Sequence, residues 1–406
     1  MPTTWDMGAS TFDTTSSQVH AAREERWFVE TTWGWAVLRY AEATALLRDR
    51  RFRQGNARWP EQNGVPDGPL PRWWSETLLS LEGEDHDRVR RLLLPAFKRS
   101  AIEAMRPGFT ALAEELLDDV EARAEERGDR RVELIGEVAE PYAARIICRI
   151  LGIDEDHWRQ VAHWADDLGA AFTTDVAAAV PRIEAALTGL SSYVEETVAA
   201  RRADPGDDLV SALVAATGPG GLSERELSVA LVFLAFAGME TTRNQVGLAV
   251  RTLLAEGVEE PGDQWRLLAA RPDLGAAAVE EVMRLAPTVT WVTREAVEDV
   301  VLPGPPELRV PAGGVVQVLS HAAGTDPRAV ASPGLDLEAA ARGERPPHTG
   351  FGAGIHHCLG HYVARVDMAV LLPTIARRWP DLAPDGPGEW LPVSGNTGAL
   401  SFPLRF

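Results

Sequence analysis

The residues best suited to chemistry lie in one stretch, residues 351–360, which reads FGAGIHHCLG. Cys358 follows the glycines and directly precedes an apolar helical pattern over residues 359 to about 379. The sulfur should therefore lie at or just before a helix N-terminus, where free backbone N–H groups and the helix dipole favour a thiolate. A thiolate is a metal ligand or a nucleophile, and Phe351 would shield it from water. The alternative is an inert, buried thiol in a loop-to-helix turn.

A second group of polar residues lies inside the longest apolar helical pattern. That helix is predicted to begin at a capping box formed by Ser223 and Glu226 and to end near residue 256. Its middle, residues 229–239, is apolar on every face and includes Gly238. Glu240 and Thr241 follow directly on the same helix. A carboxylate and a hydroxyl in such a place are costly unless they are paired or functional. The alternative is that Thr241 bonds back to the preceding turn while Glu240 forms an ion pair.

Two shorter helical patterns carry charged pairs on one face. His86 and Arg90 are four residues apart, so both could reach one anionic group. An ordinary solvated face is the alternative for this pair. Glu281 and Arg284, three residues apart, can pair with each other on their own helix.

Spelled as F-G-x-G-x-H-x-C-x-G, residues 351–360 resemble the haem-binding loop of the cytochrome P450 family of haem-thiolate monooxygenases. Residues 237–242, AGMETT, resemble the family's oxygen-activation motif A-G-x-[DE]-T-[TS]. The spacings H-x-x-x-R at residue 86 and E-x-x-R at residue 281 also match the family, and all four motifs occur in its order.

This resemblance implies haem b as the cofactor, with Cys358 as the metal ligand. It implies that Thr241 hydrogen-bonds the dioxygen being activated or its water, that Glu240 relays protons, and that Gly238 makes room for oxygen. The other implied cofactor contacts are His86, Arg90, Arg294 and His356 at the propionates, and Phe351, Gly352, Gly354 and Gly360 around the cysteine. Glu281 and Arg284 would lock the core, with Arg342 as the expected third partner.

The resemblance also suggests which residues line the substrate pocket. These are Trp73, Trp74, Phe172, Ala237, Val289, Thr290 and Trp291. Since most of them are apolar or aromatic, we expect an apolar or aromatic small molecule as the substrate.

The elements that must position these residues are mainly helical. Residues 101–203 follow a helical pattern almost throughout, whereas residues 27–39 predict a hairpin and residues 300–320 predict short strands. The fold class is therefore mainly α with small β-sheets. The resemblance implies the cytochrome P450 fold, a triangular-prism helical domain that encloses the haem. We expect a single domain over residues 1–406, with residues 1–20 as a poorly ordered arm.

Composition narrows the choice of partners and compartment. The 406 residues include 40 basic and 60 acidic side chains, a formal charge of −20, which disfavours nucleic acid and membranes as partners. The only cysteines are Cys148, which we expect to be buried and inert, and Cys358, so a disulfide framework is excluded. No signal peptide or membrane anchor is recognisable at the N-terminus, and we expect a cytoplasmic protein.

The implied reaction inserts one oxygen atom of O2 into the substrate, by hydroxylation or epoxidation, in secondary metabolism. Nothing in the sequence resembles a reductase, so electrons would come from NAD(P)H through a separate reductase and a ferredoxin or flavodoxin. A family member that couples its substrate oxidatively without inserting oxygen would have the same motifs. A peroxide-driven enzyme and a non-enzymatic haem sensor are further alternatives, and both would have less need of Glu240 and Thr241.

Overall fold

The computed structural model describes residues 4–172, 176–255, 260–393 and 395–406, without the side chain of Phe172. The chain divides into two compact units. Unit 1 comprises Met1–Gly55, Gly108–Glu137 and Asn244–Phe406, and unit 2 comprises Asn56–Pro107 and Val138–Arg243.

Helices make up most of both units, as the periodicity of the sequence predicts. In the described residues the α-helices are α1 Ser17–Glu25, α2 Tyr40–Leu46, α3 Trp59–Gln62, α4 Pro69–Glu76, α5 Gly83–Leu93, α6 Arg99–Arg127, α7 Glu140–Leu151, α8 Trp158–Gly169, α9 Val176–Ala203, α10 Leu209–Ala215, α11 Glu224–Ala255, α12 Asp263–Ala270, α13 Gly275–Leu285, α14 Ser320–Gly324, α15 Leu337–Ala341 and α16 His361–Arg378. Short 3-10 helices follow or precede several of them, at Leu94–Phe97, Glu155–His157, Ala170–Phe172, Pro272–Leu274 and Gly354–His356, and a π-helical turn spans Ile135–Ala139. Within the described ranges, every helix is too short or too polar to cross a lipid bilayer.

The strands all belong to unit 1. They are β1 Phe28–Thr31, β2 Gly34–Val37, β3 Phe52–Gln54, β4 Arg131–Glu133, β5 Trp291–Ala296, β6 Val300–Leu302, β7 Leu308–Val310, β8 Val315–Leu319, β9 Ala383–Pro384, β10 Glu389–Trp390, β11 Ala399–Ser401 and β12 Pro403–Arg405. The largest sheet has the order β1-β2-β8-β5-β3, and only the β2–β8 pairing in it is parallel. The predicted hairpin of residues 27–39 and the short strands of residues 300–320 are confirmed.

The five-stranded sheet covers one hydrophobic core of unit 1. Val37, Val292, Val316 and Val318 point from its strands into a cluster that also includes Leu46 of α2. Alternate strand positions share a face, so β-branched residues at these positions bury their side chains together. The sheet thereby holds β5, which carries Arg294, in a fixed register: Arg294 is paired with Gln54 of β3 and Val316 of β8.

The N-terminal segment corrects one expectation. Residues 4–20 belong to unit 1 and are not a poorly ordered arm: Trp5 pairs with Thr31, both Trp5 and Met7 are buried, and α1 begins at Ser17. The reason is that Trp5, Met7 and Val19 supply apolar side chains to a second core cluster beneath β1 and β2. The polar composition of this segment hides these few anchoring residues.

The described residues of unit 2 are mainly helical and contain the first part of α11. Its start at Glu224 has the predicted capping box: the Ser223 hydroxyl accepts from the Glu226 N–H at 3.2 Å, and the Glu226 carboxylate accepts from the Ser223 N–H at 2.8 Å. At about 1.5 Å per residue, the 32 residues of α11 extend about 48 Å. The helix presents Glu240 and Thr241 near its middle.

Candidate active site

The cysteine loop of unit 1 is closed by its own backbone. The N–H of Gly352 donates to Thr349 O at 2.8 Å, and the N–H of Cys358 donates to Phe351 O at 2.9 Å. Gly352 and Gly354 have φ of 65° and 77°, in the left-handed region that favours glycine. A Cβ on Gly354 would lie 2.7 Å from the Leu47 carbonyl oxygen, so only glycine fits there.

Cys358 lies three residues before α16, which begins at His361, as the sequence predicts. Its side chain is partly exposed, so the alternative of a buried thiol does not describe it. That alternative describes Cys148, which is fully buried on α7 and whose thiol pKa is raised to about 12 by desolvation. The predicted burial of Cys148 is therefore confirmed, and the role of Cys358 stays a prediction.

Two of the predicted cofactor contacts meet at this loop. The Arg294 guanidinium is buried and donates to Ala353 O at 3.1 Å and to the side chain of Gln54. The 3-10 helix Gly354–His356 begins at the residue after Ala353 in the same loop, and His356 is its last residue. The structure thus brings a cation and an imidazole to the loop that carries Cys358.

The predicted pair on α13 is confirmed, but its third partner is corrected. Arg284 donates to both carboxylate oxygens of Glu281, at 2.8 and 2.7 Å, and both side chains are almost fully buried. Arg345 is the third member, with its Nε 3.5 Å from Glu281 Oε2. Arg342 instead pairs with Glu344 at 2.7 Å on the surface, because it ends α15 on the exposed side.

On α5 of unit 2 the two predicted propionate ligands lie off the solvated face. His86 is buried and has its Nδ1 3.1 Å from the Asp87 carboxylate, and Arg90 is half-buried. Glu84, Asp85 and other charged residues of this helix are exposed. The alternative of an ordinary solvated face therefore does not account for His86.

The middle of α11 has one accessible stripe. Phe233, Ala237 and Thr241 are partly exposed, whereas most of the positions between them are buried. These three residues are four apart and so share one helix face. The Thr241 hydroxyl donates to Ala237 O at 2.8 Å, which is the back-bond considered as the alternative for this motif. An accessible stripe on a helix that is otherwise buried is what the wall of a ligand cavity requires.

The two other members of this motif contact neighbouring helices of unit 2. A Cβ on Gly169 of α8 would lie 2.9 Å from the Glu240 carboxyl carbon, so Gly169 makes room for that carboxylate. A Cβ on Gly238 would lie 2.6 Å from Ile147 Cδ1 of α7. The side-chain space at Gly238 is therefore used for helix packing, and the expected room for oxygen does not lie in that direction.

The predicted substrate residues of unit 2 divide into two kinds. Trp73 packs 6.5 Å from Phe233, measured between ring centroids, and so adjoins the accessible stripe. Trp74 belongs to the interior: its Nε1 donates to Asn56 O at 2.7 Å, and its ring packs against that of Trp59, tilted by 34° with the centroids 4.6 Å apart. The backbone of Phe172 ends the 3-10 helix Ala170–Phe172, and its side chain lies outside the described part of the chain. Ala237 is on the stripe itself.

The predicted substrate residues of unit 1 form one segment that leads into β5 and includes its first residue, Trp291. Thr290 is buried, and its hydroxyl and N–H both donate to Gly395 O at 2.8 Å. Val289 and Trp291 flank it and are partly exposed. The accessible side chains of this segment are thus apolar, whereas the hydroxyl of Thr290 is occupied by the backbone.

Comparison with known proteins gives the family. A model of the cytochrome P450 family matches residues 263–380. Luteothin monooxygenase of Streptomyces thioluteus is 32% identical over 97% of this chain and 94% of its own length. Nocardicin C N-oxygenase of Nocardia uniformis is 34% identical over 88% and 85%. The chain belongs to the cytochrome P450 family. The crystal structure of CalO2 superimposes with a TM-score of 0.85 at 31% identity, covering 98% of this chain and 99% of that one.

The fold is accordingly that of a bacterial-type cytochrome P450, and the protein is a cytochrome P450 monooxygenase, an oxidoreductase. Membership of this family implies a haem cofactor, and the residues present fit one. The partly exposed residue Cys358 offers a thiol as an iron ligand, and the buried Arg294 offers a cation for a carboxylate. The accessible stripe of α11 offers an apolar surface for a flat ring.

Sequence reasoning missed several residues that build the site. Gln54 and Ala353 position Arg294, Gly169 accommodates Glu240, and Arg345 completes the α13 cluster. For the α13 cluster the sequence did contain a signal, because residues 335–347 include two arginines, Arg342 and Arg345. The others depend on contacts between segments far apart in the chain, which no spacing reveals.

Proposed function

We propose that this cytochrome P450 inserts one oxygen atom of O2 into an apolar or aromatic small molecule of secondary metabolism. The proposal rests on the closed cysteine loop, which carries the partly exposed Cys358 and accepts a hydrogen bond from the buried Arg294 guanidinium at Ala353 O. The monooxygenase and N-oxygenase names of its relatives support oxygen insertion as the type of reaction.

Cys358 is proposed as the thiolate ligand of haem b. The haem supplies oxygen activation, because a thiolate donates electron density that favours O–O cleavage. The residues around the sulfur keep the loop closed: the backbone of Phe351 accepts from the Cys358 N–H, and the glycines allow the loop its left-handed turns.

Arg294, His356, His86 and Arg90 are proposed to bind the two propionates, and Phe351, Gly352, Gly354 and Gly360 to shape the loop around the ligand. Charge-assisted hydrogen bonds of this kind contribute about 1.5–3 kcal/mol each. Since Arg294 is already held by Gln54 and Ala353, its guanidinium is oriented before the cofactor binds.

Thr241 and Glu240 are proposed to manage proton delivery. The Thr241 hydroxyl proton is directed to Ala237 O, which leaves the lone pairs of Oγ1 to accept a hydrogen bond from a water molecule. The Glu240 carboxylate lies against the backbone of Gly169 and would exchange protons from there. The hydrogen bond from Thr241 to Ala237 O therefore orients the hydroxyl and is compatible with a role in proton delivery.

The substrate is proposed to contact the accessible apolar side chains of Phe233, Ala237, Val289 and Trp291, with the buried Trp73 packed against Phe233. Electrons are proposed to come from NAD(P)H through a separate reductase and a ferredoxin or flavodoxin. This source of electrons favours a cytoplasmic location.

The deciding experiment is the absorption spectrum of the purified protein after reduction with dithionite and addition of carbon monoxide. A strongly red-shifted Soret band is expected for the wild type, and its loss is expected for Cys358→Ser. A Soret band at the ordinary position in the wild type contradicts thiolate ligation by Cys358. The protein is also incubated with 18O2, a reductase and a ferredoxin. A product that contains the label supports oxygen insertion, whereas an unlabelled product supports oxidative coupling of the substrate without oxygen insertion.

A further inference from the structure

We propose that Arg365 and Glu280 set the reduction potential of the bound haem through Phe351, as a pair of opposed charges beside the cysteine loop. This inference rests on the proposed ligation by Cys358. It assigns a positioning role to two residues outside the motifs that mark the family in this sequence, and every residue it uses belongs to unit 1.

Arg365 and His348 pack against the ring of Phe351. The guanidinium carbon of Arg365 lies over that ring, 4.6 Å from its centroid, and the ring of His348 lies 5.0 Å away on centroids. Phe351 is only 9% exposed. A cation over an aromatic face is attracted by the quadrupole of the ring, so Arg365 restrains the position of Phe351.

Glu280 fixes the guanidinium in this place. Its carboxylate accepts from Arg365 Nε at 2.6 Å, and its other oxygen is 3.4 Å from His348 Nε2. Arg365 Nη1 also donates to Nδ1 of His361 at 2.8 Å, since a guanidinium can only donate. Burial lowers the pKa of His348 to about 4, so His348 is neutral at pH 7 and adds no charge beside Phe351.

Phe351 is in turn tied to the proposed ligand. Its carbonyl accepts from the Cys358 N–H at 2.9 Å, so the ring and the sulfur belong to one closed loop. His361, which contacts Arg365, is the first residue of α16 and follows Cys358 by three positions. Arg365 therefore contacts both Phe351, which precedes Cys358, and His361, which follows it.

The sign of the effect follows from electrostatics. One-electron reduction adds negative charge to the cofactor and its ligand, so the positive charge of Arg365 favours the reduced form and the negative charge of Glu280 opposes it. The ring of Phe351 is apolar and almost buried, so the side of the guanidinium that faces the ring is shielded from water. Removing the charge of Arg365 should therefore disfavour reduction, and removing the charge of Glu280 should favour it.

The test is an anaerobic spectroelectrochemical titration of the holoenzyme. Arg365→Met should lower the equilibrium constant for reduction roughly tenfold, about 59 mV for one electron, and Glu280→Gln should raise it by a similar factor. Arg365→Lys retains the charge and should restore most of the wild-type value. Arg377→Met is the matched control: Arg377 also pairs with a glutamate, Glu114, but lies twelve residues further along α16, about 18 Å away, and should cause no shift.

Shifts in the same direction for Arg365→Met and Glu280→Gln, or no shift in either, overturn the inference, because a merely structural disturbance has no reason to follow the sign of the charge. The carbon monoxide spectrum of the wild type is recorded first. If it lacks the red-shifted Soret band, the proposed ligation fails. If the band is present and the potentials do not respond, only the role of Arg365 and Glu280 fails.

Discussion

The role proposed for Thr241 requires one hydroxyl to serve both a helix and a reaction. It donates to Ala237 O within α11, yet it lies on the accessible stripe where its oxygen can accept from water. A threonine that bonds to the preceding turn is held in one rotamer, so the oxygen is presented in a fixed direction. The cost of placing a polar group on this helix is reduced because its proton has a partner.

At the residue scale we predict that Thr241→Ala keeps haem binding and the red-shifted carbon monoxide spectrum but lowers product formed per NAD(P)H roughly tenfold or more. The missing electrons should appear as hydrogen peroxide, since the methyl group cannot hold the water that delivers protons. Thr241→Ser is the matched control and should retain most of the coupling. Equal ratios of product to NAD(P)H in the alanine variant and the wild type would remove Thr241 from proton delivery.

At the element scale, α7 and α11 approach closely at Gly238. A Cβ at this position would lie 2.6 Å from Ile147 Cδ1, which leaves no room for a larger residue unless the isoleucine moves. Glycine inside a helix costs about 1 kcal/mol relative to alanine, so the contact must compensate for that loss. Gly238 is therefore explained by packing of two helices in unit 2.

We predict that Gly238→Ala lowers the free energy of unfolding by about 1 kcal/mol in the wild type, since overpacking of about 1–3 kcal/mol outweighs the gain in helix propensity. In the Ile147→Val background, which removes Cδ1, the same change should be neutral or stabilising. Urea denaturation of the four variants of this double-mutant cycle measures the coupling. Additive effects of the two substitutions would contradict the packing explanation.

The start of α11 is anchored electrostatically as well as by its capping box. Hydrogen bonds from Arg88, and then from Ser223, hold the pKa of Glu226 down to about 2. A carboxyl group with a lowered pKa in the folded state stabilises the protein above its unfolded-state value of about 4.5. That contribution is lost as the pH falls from about 4.5 towards about 2.

Glu226→Gln should therefore lower the free energy of unfolding at pH 7, and the difference from the wild type should shrink as the pH falls from 4.5 towards 3. Urea denaturation at a series of pH values measures this difference. Glu224→Gln, which removes the neighbouring exposed pair with Arg202, is the control and should have a smaller effect at pH 7. A difference for Glu226→Gln that is independent of pH would contradict the assignment.

Elements were predicted from the sequence more successfully than contacts. The start of α11, its capping box and the position of Cys358 before α16 follow from local spacing and are confirmed, whereas the predicted end of α11 lies outside the described residues. The contact of Gly238 with Ile147, the choice of Arg345 over Arg342 and the packing of Trp5 depend on segments distant in the chain. Periodicity defines a helix face but not its neighbour, and this limit explains each of these misses.

At the scale of the whole molecule, the buried ion cluster on α13 ties together distant parts of unit 1. Besides pairing with Glu281, Arg284 donates to Gly324 O, Pro333 O and Gly334 O at 2.9–3.0 Å. Arg345 adds a contact to Glu281 and donates to Ser332 O at 2.7 Å. The cluster therefore fixes the segment that leads from α14 towards the cysteine loop.

We predict that Arg345→Met lowers the free energy of unfolding by about 2–3 kcal/mol, because it removes a partner of a buried carboxylate. Arg342→Met, which breaks an exposed pair with Glu344, should change it by less than about 0.5 kcal/mol. Urea denaturation of the two variants gives the comparison. If both variants lost a similar free energy of unfolding, burial of the Glu281 cluster would not be the reason for the effect of Arg345→Met.

The parallel pairing of β2 with β8 joins Trp35 to Val316, residues about 280 positions apart along the chain. At roughly 5–20 residues per second, a ribosome needs on the order of 14–56 s to make the chain between them. During that time the hairpin β1–β2 has an open edge and an apolar face without its partners, which invites aggregation. Production of this protein in the cell should therefore depend on chaperones that hold the early hairpin until β8 has been synthesised.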